Sequence, residues 1–588
     1  MTEVENHLKI RLRAAPHPLA LLQAAAAAHG DRPAIVFAQS PDDSAPQVLS
    51  YRELAETAER VASGLRSLGV GPEDGVALVT PATPNGAAAL IGALSAGVAF
   101  PMNLLLTQEA MATQLALART RVALVWNGLE AADRLRAAAG DIPVLDISDA
   151  PSSWISRTDL GRAGFAGEPS RAAALFHTGG TTGDPKLAEL SASGMAAAAV
   201  MSEAGVGFGA GDRMCVAMPL FHVGGAIGCL MGAIAAGATV IFPGLLGGRD
   251  PALRSGVWRL LARTEATILI MVPTSLAGVV DTPVDAVLAR LRAICTGAAP
   301  MPAELARQLE EKMRVPVCQV YGMTELSGIC SAQPCDGVFR TLDVGYPTPM
   351  IELRVGGGAA LPGARGECQF RGPNTFLGYR TAAGRSGEPQ DGWVSTGDLG
   401  AIEPDGRLKL LGRSKDVIIR GGHNIDPLMI EDIALQHPAV RVAAAAPMPD
   451  FYAGELPVLF VVLKSDAAAQ ETLASEIAAF VASRIADPPA RPKRIFIVDE
   501  IPMTSVGKVA RFRLRQTTAM QALSSLAMDP TAVELTCTDS GAKVIDVSWR
   551  RTPQPEEVTA LRRGASSLGL ELRGEGGLEL AGAPAPAA

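Results

Sequence analysis

The chain reads as an α/β protein: a large N-terminal domain of mixed and parallel sheets covered by helices, closed by a β-rich subdomain, then a small α+β C-terminal domain. Three observations predict this. Short apolar runs of β-formers alternate with longer Ala/Leu-rich segments of helical period, the pattern of parallel strands joined by crossover helices. After about residue 340 the runs shorten and are parted by Gly and Asp turns, as in hairpins. From Ile430 to Leu514 helix and strand patterns mix again over a length that suits a separate domain.

In chain order, SYRELAETAERVASGLRSLG has a helical period and follows a run of turn residues. VALVTP, RVALVWN, AALFHT, DRMCVAMP, ATVIFP, TILIMVP and LRAICTG are the strands expected in the large sheets. The uncharged stretch from Gly224 to Phe242 is long enough to raise the question of a membrane span. Its five glycines and many alanines make it weakly apolar, so a packed helix followed by a buried strand is expected instead. IELRVGG, GECQFRG, GRLKLLGR and KDVIIRGG are the short strands of the β-rich part. PVLFVVL and RIFIVDE are strands of the small domain, with ETLASEIAAFVASRI as a helix between them. A helix is expected to run on to about Ala527, VELTCTDSGAKVIDVSWR reads as one or two strands, and the end, LAGAPAPAA, is expected to be disordered. The boundaries read from this are 1–413, 414–520 and a C-terminal extension, 521–588.

At 588 residues the chain exceeds what one core usually serves, and 48% hydrophobic with 19% charged residues is an ordinary globular composition. A formal net charge of −8, with scattered arginines, gives no footprint for nucleic acid. The eight cysteines form no CxxC pair and several sit in apolar runs, which argues against a zinc site or a disulfide framework and for reduced thiols packed as small apolar groups. The start, MTEVENHLKIRLRAAPHP, lacks a basic end followed by an apolar core, so no export and a cytoplasmic location are expected.

The chemistry begins at FHTGGTTGDPKLA, residues 176 to 188, which holds one of only nine lysines in the chain. Glycines let successive N–H groups point at one centre, the threonines add hydroxyl donors and Lys186 adds a full positive charge, which is what a polyphosphate needs. A solvated turn is the other reading of such a loop. It is not a Walker loop, because Asp184 and Pro185 stand between the last glycine and the lysine, and Leu187 follows.

Four more stretches follow in order: VYGMTE (320 to 325), STGDLG (395 to 400), GRSKDVIIRGGHNIDP (412 to 427) and MTSVGKVARFRLR (503 to 515). Together with the Thr/Gly loop they resemble the adenylate-forming superfamily of acyl-CoA synthetases, peptide-synthetase adenylation domains and beetle luciferases, over roughly residues 15 to 520. The resemblance implies that Thr178, Gly179, Gly180, Thr181, Thr182, Gly183 and Lys186 hold the β and γ phosphates of ATP. Gly179 and Gly180 separate Thr178 from Thr181 where the family commonly has a hydroxyl residue, so one hydroxyl contact is lost. Glu325 looks like the Mg²⁺ ligand and Thr324 a phosphate contact, with Gly322 and Met323 beside them. Gly297, Ala298, Ala299 and Pro300 would let adenine lie on the backbone, with Tyr321 either supplying an aromatic face or serving as a core tyrosine. Asp398 resembles the carboxylate that takes both ribose hydroxyls, with Trp393 just ahead of it, and Arg413 a second nucleotide contact.

GRSKD resembles the hinge, with Lys415 at the pivot, which makes the small C-terminal domain a mobile lid. In one orientation Lys508 would bridge the substrate carboxylate and the α-phosphate. In the other, Gly421, Gly422, His423 and Asn424 would line the path of the CoA thiol. PLFHVGG resembles one wall of the acyl pocket, with His222, Val223, Gly224 and Gly225. His222 is equally a gate, a carboxylate-positioning group or a satisfied core histidine. No aspartate stands there to pair an amino acid's ammonium, and the small residues leave volume for an apolar acid, fatty, aromatic or alicyclic.

The expected activity is therefore ATP-dependent acid:CoA ligation with ATP, Mg²⁺ and CoA. The partners are a small carboxylic acid and no nucleic acid, with no transmembrane segment, and the extension is a place for a homodimer contact. Two other readings stay open: loading of a separate carrier protein, and a catalytically silent nucleotide-binding regulator.

Overall fold

Helix caps and close backbone approach explain why the first elements form where they do. Ser50 caps the helix Tyr51–Ser67: its hydroxyl accepts from Glu53 N, and Glu53 returns a carboxylate to Ser50 N at 2.8 Å. The next helix, Pro84–Ala96, is buried at every residue but Asn85. A Cβ on its Gly92 would lie 2.5 Å from Val61 Cγ1 and 2.7 Å from the Ala58 carbonyl, so only glycine lets the two helices meet at that distance.

The computed structural model describes residues 3–157, 160–178, 186–333, 339–340, 342–413, 416–464, 470–504, 508–537 and 543–574. These form two compact units, one of residues up to 411 together with Lys508, the other of the residues from 412 onward apart from Lys508.

The first unit is α/β, as its pattern predicts. In a nine-stranded sheet, Val317–Met323, Ala293–Thr296, Ile268–Ile270, Arg213–Val216, Thr239–Pro243 and Pro33–Ala38 run parallel as consecutive neighbours, with antiparallel strands at both edges. In an eight-stranded sheet, Ala172–Thr178 joins four parallel strands, while Lys186–Ser191, Gly378–Thr381 and Gly384–Ser386 extend it antiparallel. A five-stranded antiparallel sheet carries Glu352–Val355, Arg365–Arg371, Val394–Ile402 and Leu408–Arg413. The stretch from Gly224 packs as a helix and then the buried strand Thr239–Pro243, but its first two turns, Gly224–Met231, are wound as a π-helix that the sequence pattern did not announce. Among the described residues no helix is long and apolar enough to cross a membrane.

Among the described residues five cysteines are buried free thiols, and burial pushes those of Cys215, Cys229, Cys295 and Cys368 up to about 12. Cys318 departs from the expectation of reduced thiols, because it is disulfide-bonded.

The second unit has a sheet of Gly454–Leu463 between Val440–Asp450 and Arg494–Ile497, continued by the hairpin Ile418–Arg420 and His423–Ile425. Pro427–Leu435 and Gln470–Arg484 cover one face, and the helix Arg511–Ser524 packs Leu514 against the other. That helix continues into the extension, where Val533–Thr536, Val544–Trp549 and Glu571–Gly574 form a three-stranded sheet. The sequence reading of one or two strands there missed the helix Pro555–Ser567 and the third strand, which pairs parallel to the second. Ala519, Leu523, Val533, Ile545, Val547 and Leu561 form their core. The tail LAGAPAPAA lies outside the described residues.

Candidate active site

Thr178 ends one strand and Lys186 begins the next, paired across the hairpin, with Thr178 Oγ1 donating to the Lys186 carbonyl at 3.3 Å. The two ends of the Thr/Gly-rich stretch are therefore fixed side by side. Gly179, Gly180, Thr181, Thr182 and Gly183 lie outside the described residues. Behind Lys186 the same strand buries Glu189, which accepts from Arg380 and Arg385 of the neighbouring hairpin, each at 2.5 Å. A buried carboxylate between two guanidiniums locks that hairpin to the strand.

The strand Val317–Met323 carries Tyr321, Gly322 and Met323, turns through Thr324–Leu326 and Ser327 (φ 53°), and returns at Gly328. Any Cβ on Gly322 would sit 1.9 Å from the Gly328 carbonyl. Glu325 is buried in this turn. Its Oε1 accepts from the phenol of Tyr379 at 2.6 Å, and its backbone carbonyl accepts from Phe376 N at 2.9 Å. Lys186 Nζ stands 5.5 Å above the centre of the Tyr379 ring. Lys186 and Glu325 thus meet on one aromatic residue that motif reading overlooked. The Gly-Tyr pair in NTFLGYR was its only signal.

The described residues hold no cluster of three or more metal-ligating side chains. One buried carboxylate that shares Tyr379 with the Lys186 ammonium nonetheless fits Mg²⁺, which is commonly held by one or two carboxylates plus substrate phosphates. Glu325 is the carboxylate that would hold it.

The nucleoside candidates lie at the C-terminal edge of the parallel strands, where ligands collect in open α/β sheets. Thr296 and Gln319 are in register, so Gly297 lies against Val320 and the turn through Ala298, Ala299 and Pro300 begins beside the end of the strand that carries Tyr321. Gly297 is forced by contact, since a Cβ would lie 2.7 Å from Val320 Cγ2, and Ala298 holds a φ of 69° that few alanines adopt. Thr296 Oγ1 is buried without a partner. Tyr321 donates its phenol to Asp398 Oδ2, and its ring tilts against Phe370 with centroids 6.0 Å apart. Burial, and after it the Asp398 charge, holds that phenol well above its ordinary value. Asp398 is itself buried, and its N–H donates to Thr396 Oγ1 at 3.0 Å. Trp393, at the start of this strand, is stacked by the guanidiniums of Arg354 (4.2 Å) and Arg371 (4.8 Å). They line a cavity of about 680 Å³ that touches none of the expected site residues.

In PLFHVGG, His222 Nδ1 accepts from Gly224 N at 3.1 Å and its carbonyl accepts from Ala226 N, so the imidazole caps the π-helix. Burial pushes the imidazole down to about 3, and the Lys508 ammonium acts in the same direction. A neutral ring with Nδ1 as acceptor carries its proton on Nε2. Val223 is buried. Gly225 opens no volume, because the Pro219 carbonyl lies 2.3 Å from where its Cβ would stand.

Arg413 is exposed at the end of its strand, and Lys415 lies outside the described residues. Gly421 and Gly422 (φ 56° and 84°) make an exposed turn between two strands, with open space where a Cβ would be. His423 is exposed, and Asn424 follows it in the returning strand. Lys508 is partly buried, next to the bridge between Met503 and Val509.

The chain matches the model of a family described as AMP-binding enzyme over residues 22–380, and that of the AMP-binding enzyme C-terminal domain over residues 429–508. It is 33% identical over 412 residues to a marinolic acid–CoA ligase of Pseudoalteromonas sp. (strain SANK 73390), covering 66% of this chain and 62% of that ligase. An indoleacetate–CoA ligase of Aromatoleum aromaticum is 32% identical over 489 residues, 80% of this chain and 92% of its own length. The solved structure of the anthranilate CoA ligase AuaEII in complex with anthranoyl-AMP superimposes with a TM-score of 0.75 at 26% identity, covering 85% of this chain and 97% of that one. The C-terminal extension lies beyond both family matches.

Proposed function

The chain belongs to the AMP-binding enzyme family, as an acyl-CoA synthetase of the adenylate-forming superfamily, and from that premise we propose that it ligates a hydrophobic carboxylic acid to CoA. The acid's carboxylate oxygen attacks the α-phosphorus of ATP and pyrophosphate leaves. The CoA sulfur then attacks the acyl carbon and AMP leaves, giving acyl-CoA. One observation carries this reading: Lys186 and Glu325 converge on Tyr379, so a cation and a carboxylate stand together beside the phosphate loop.

Lys186 and the Thr178 end of the loop receive the β and γ phosphates, Asp398 takes the ribose hydroxyls, and the backbone of Gly297 to Pro300 carries adenine. Mg²⁺ bound at Glu325 with the phosphates would neutralise their charge toward an incoming carboxylate. Lys508 bridges that carboxylate and the α-phosphate. At ~4 Å and an effective dielectric near 20, such a pair is worth about 4 kcal/mol before desolvation, enough to change a rate by orders of magnitude. Domain movement about Lys415 then brings Gly421 and Gly422 to the pantetheine arm. The absence of charge in Val223 and the π-helix Gly224–Met231, and the neutrality of His222, support an apolar acid. The cytoplasm is the compartment proposed for this chemistry.

The test is incubation with ATP, Mg²⁺, CoA and a panel of straight-chain, aromatic, alicyclic and polar acids, followed by AMP and the CoA thioester. Thioester with at least one apolar acid and none with small polar acids is expected. AMP release without any CoA thioester would favour carrier-protein loading instead, and no acid-dependent turnover would favour the silent regulator.

A further inference from the structure

Tyr379 has a position that neither the family match nor the motifs assign. The strand Gly378–Thr381 pairs antiparallel with Lys186–Ser191, with Tyr379 opposite Ala188. Lys186 lies two residues from Ala188, hence on the same face and diagonal to Tyr379, which accounts for the ammonium above the ring. The other end of the ring reaches the turn that carries Glu325. The residue is held from several sides. Phe376 meets it edge-on with centroids 4.9 Å apart, and a Cβ on Gly387 would come within 2.9 Å of its Cδ2. Its neighbour Arg380 is tied to the buried Glu189.

We infer that Tyr379 is a positioning residue that couples the two halves of the MgATP site: its ring seats Lys186 for the phosphates, and its hydroxyl fixes the Glu325 carboxylate for the cation. The inference rests on the assignment of Glu325 and Lys186 to MgATP. The two functions of the side chain are separable by substitution. Tyr379→Phe keeps the ring and removes the donor, whereas Tyr379→Leu removes both. A tyrosine that only fills the core would weaken all ligands together and lower the melting temperature. A positioning tyrosine changes the benefit that Mg²⁺ confers.

The experiment measures binding of ATP by calorimetry, in Mg²⁺ and in a chelator, for the full chain and for Y379F, Y379L and E325Q, with a melting temperature for each. The quantity read is the ratio of the two dissociation constants. We expect E325Q to abolish the Mg²⁺-dependent gain. Y379F should cut that gain at least threefold while leaving metal-free ATP binding within twofold of the unaltered chain. Y379L should weaken metal-free ATP binding at least threefold as well. A Mg²⁺ gain in Y379F within twofold of the unaltered chain, with E325Q still losing it, overturns the coupling and leaves the Glu325 assignment standing. A gain retained in E325Q overturns the Glu325 assignment, and the coupling with it. Should Y379L fail to fold, Y379F alone decides.

Discussion

The phenol of Tyr321 donates to the carboxylate of Asp398, so a residue of the nine-stranded sheet is joined to one of the five-stranded sheet where the nucleoside is proposed to bind. The bond spends the hydroxyl of Tyr321 on orienting Asp398 and leaves only the ring for contact with a base. Asp398→Ala should therefore raise the KM for ATP about tenfold or more, the ~1.5–3 kcal/mol of hydrogen bonds to a charged group. Tyr321→Phe should raise it less than Asp398→Ala does, because it removes only the group that orients the carboxylate and leaves the carboxylate in place. Steady-state AMP release against ATP concentration checks both, and an unchanged KM in D398A removes the ribose assignment.

His222 should leave a mark on stability against pH. The native imidazole stays neutral down to about 3, while the unfolded one titrates at 6.5. Between those values the unfolded chain binds more protons, so stability rises with pH: the contribution is whole above 6.5 and is lost as pH falls toward 3. The slope is at most about 1.4 kcal/mol per pH unit. His222→Asn keeps an acceptor for Gly224 N–H and cannot charge. Its melting temperature should fall less than that of the unaltered chain as pH drops from about 7 to about 5, whereas parallel curves would contradict the assignment.

Much of this is legible in the sequence. Every strand named in the first unit formed, because each was a short apolar run bounded by turn residues and long enough to cross a sheet. Glu325 and Asp398 stand out in the sequence only because VYGMTE and STGDLG resemble the motifs of the adenylate-forming superfamily; a lone Asp in a Gly turn is otherwise a turn former. Tyr379 does not stand out, because its role depends on pairing with a strand 191 residues earlier, at Ala188, which no local pattern encodes. Gly225 was misjudged for a similar reason: a glycine looks alike in sequence whether it opens a pocket or accommodates a carbonyl, and here it accommodates Pro219. The helix Pro555–Ser567 was the avoidable miss. Pro555 at its first turn and the reciprocal Gln554–Glu557 cap are start signals that the sequence displays.

The extension should matter for stability. Its strands and the helix Pro555–Ser567 bury Ala519 and Leu523 of the helix Arg511–Ser524, so it shares a core with the element that follows Lys508. Leu561→Ala should cost ~2–5 kcal/mol in that core, and removal of residues 528–588 should expose Leu523 and speed proteolysis within 511–524. Melting curves and limited proteolysis check this. Unchanged stability after truncation would make the extension an independent appendage.

The central claim is that Lys508 delivers its charge to the carboxylate as it attacks the α-phosphorus. Acid-dependent ATP–pyrophosphate exchange in Lys508→Ala measures that step alone. The account predicts a fall of at least about 100-fold, the loss of ~3 kcal/mol of transition-state stabilisation, while acyl-AMP supplied from outside is still converted to thioester with CoA. Exchange at the rate of the unaltered chain would contradict it.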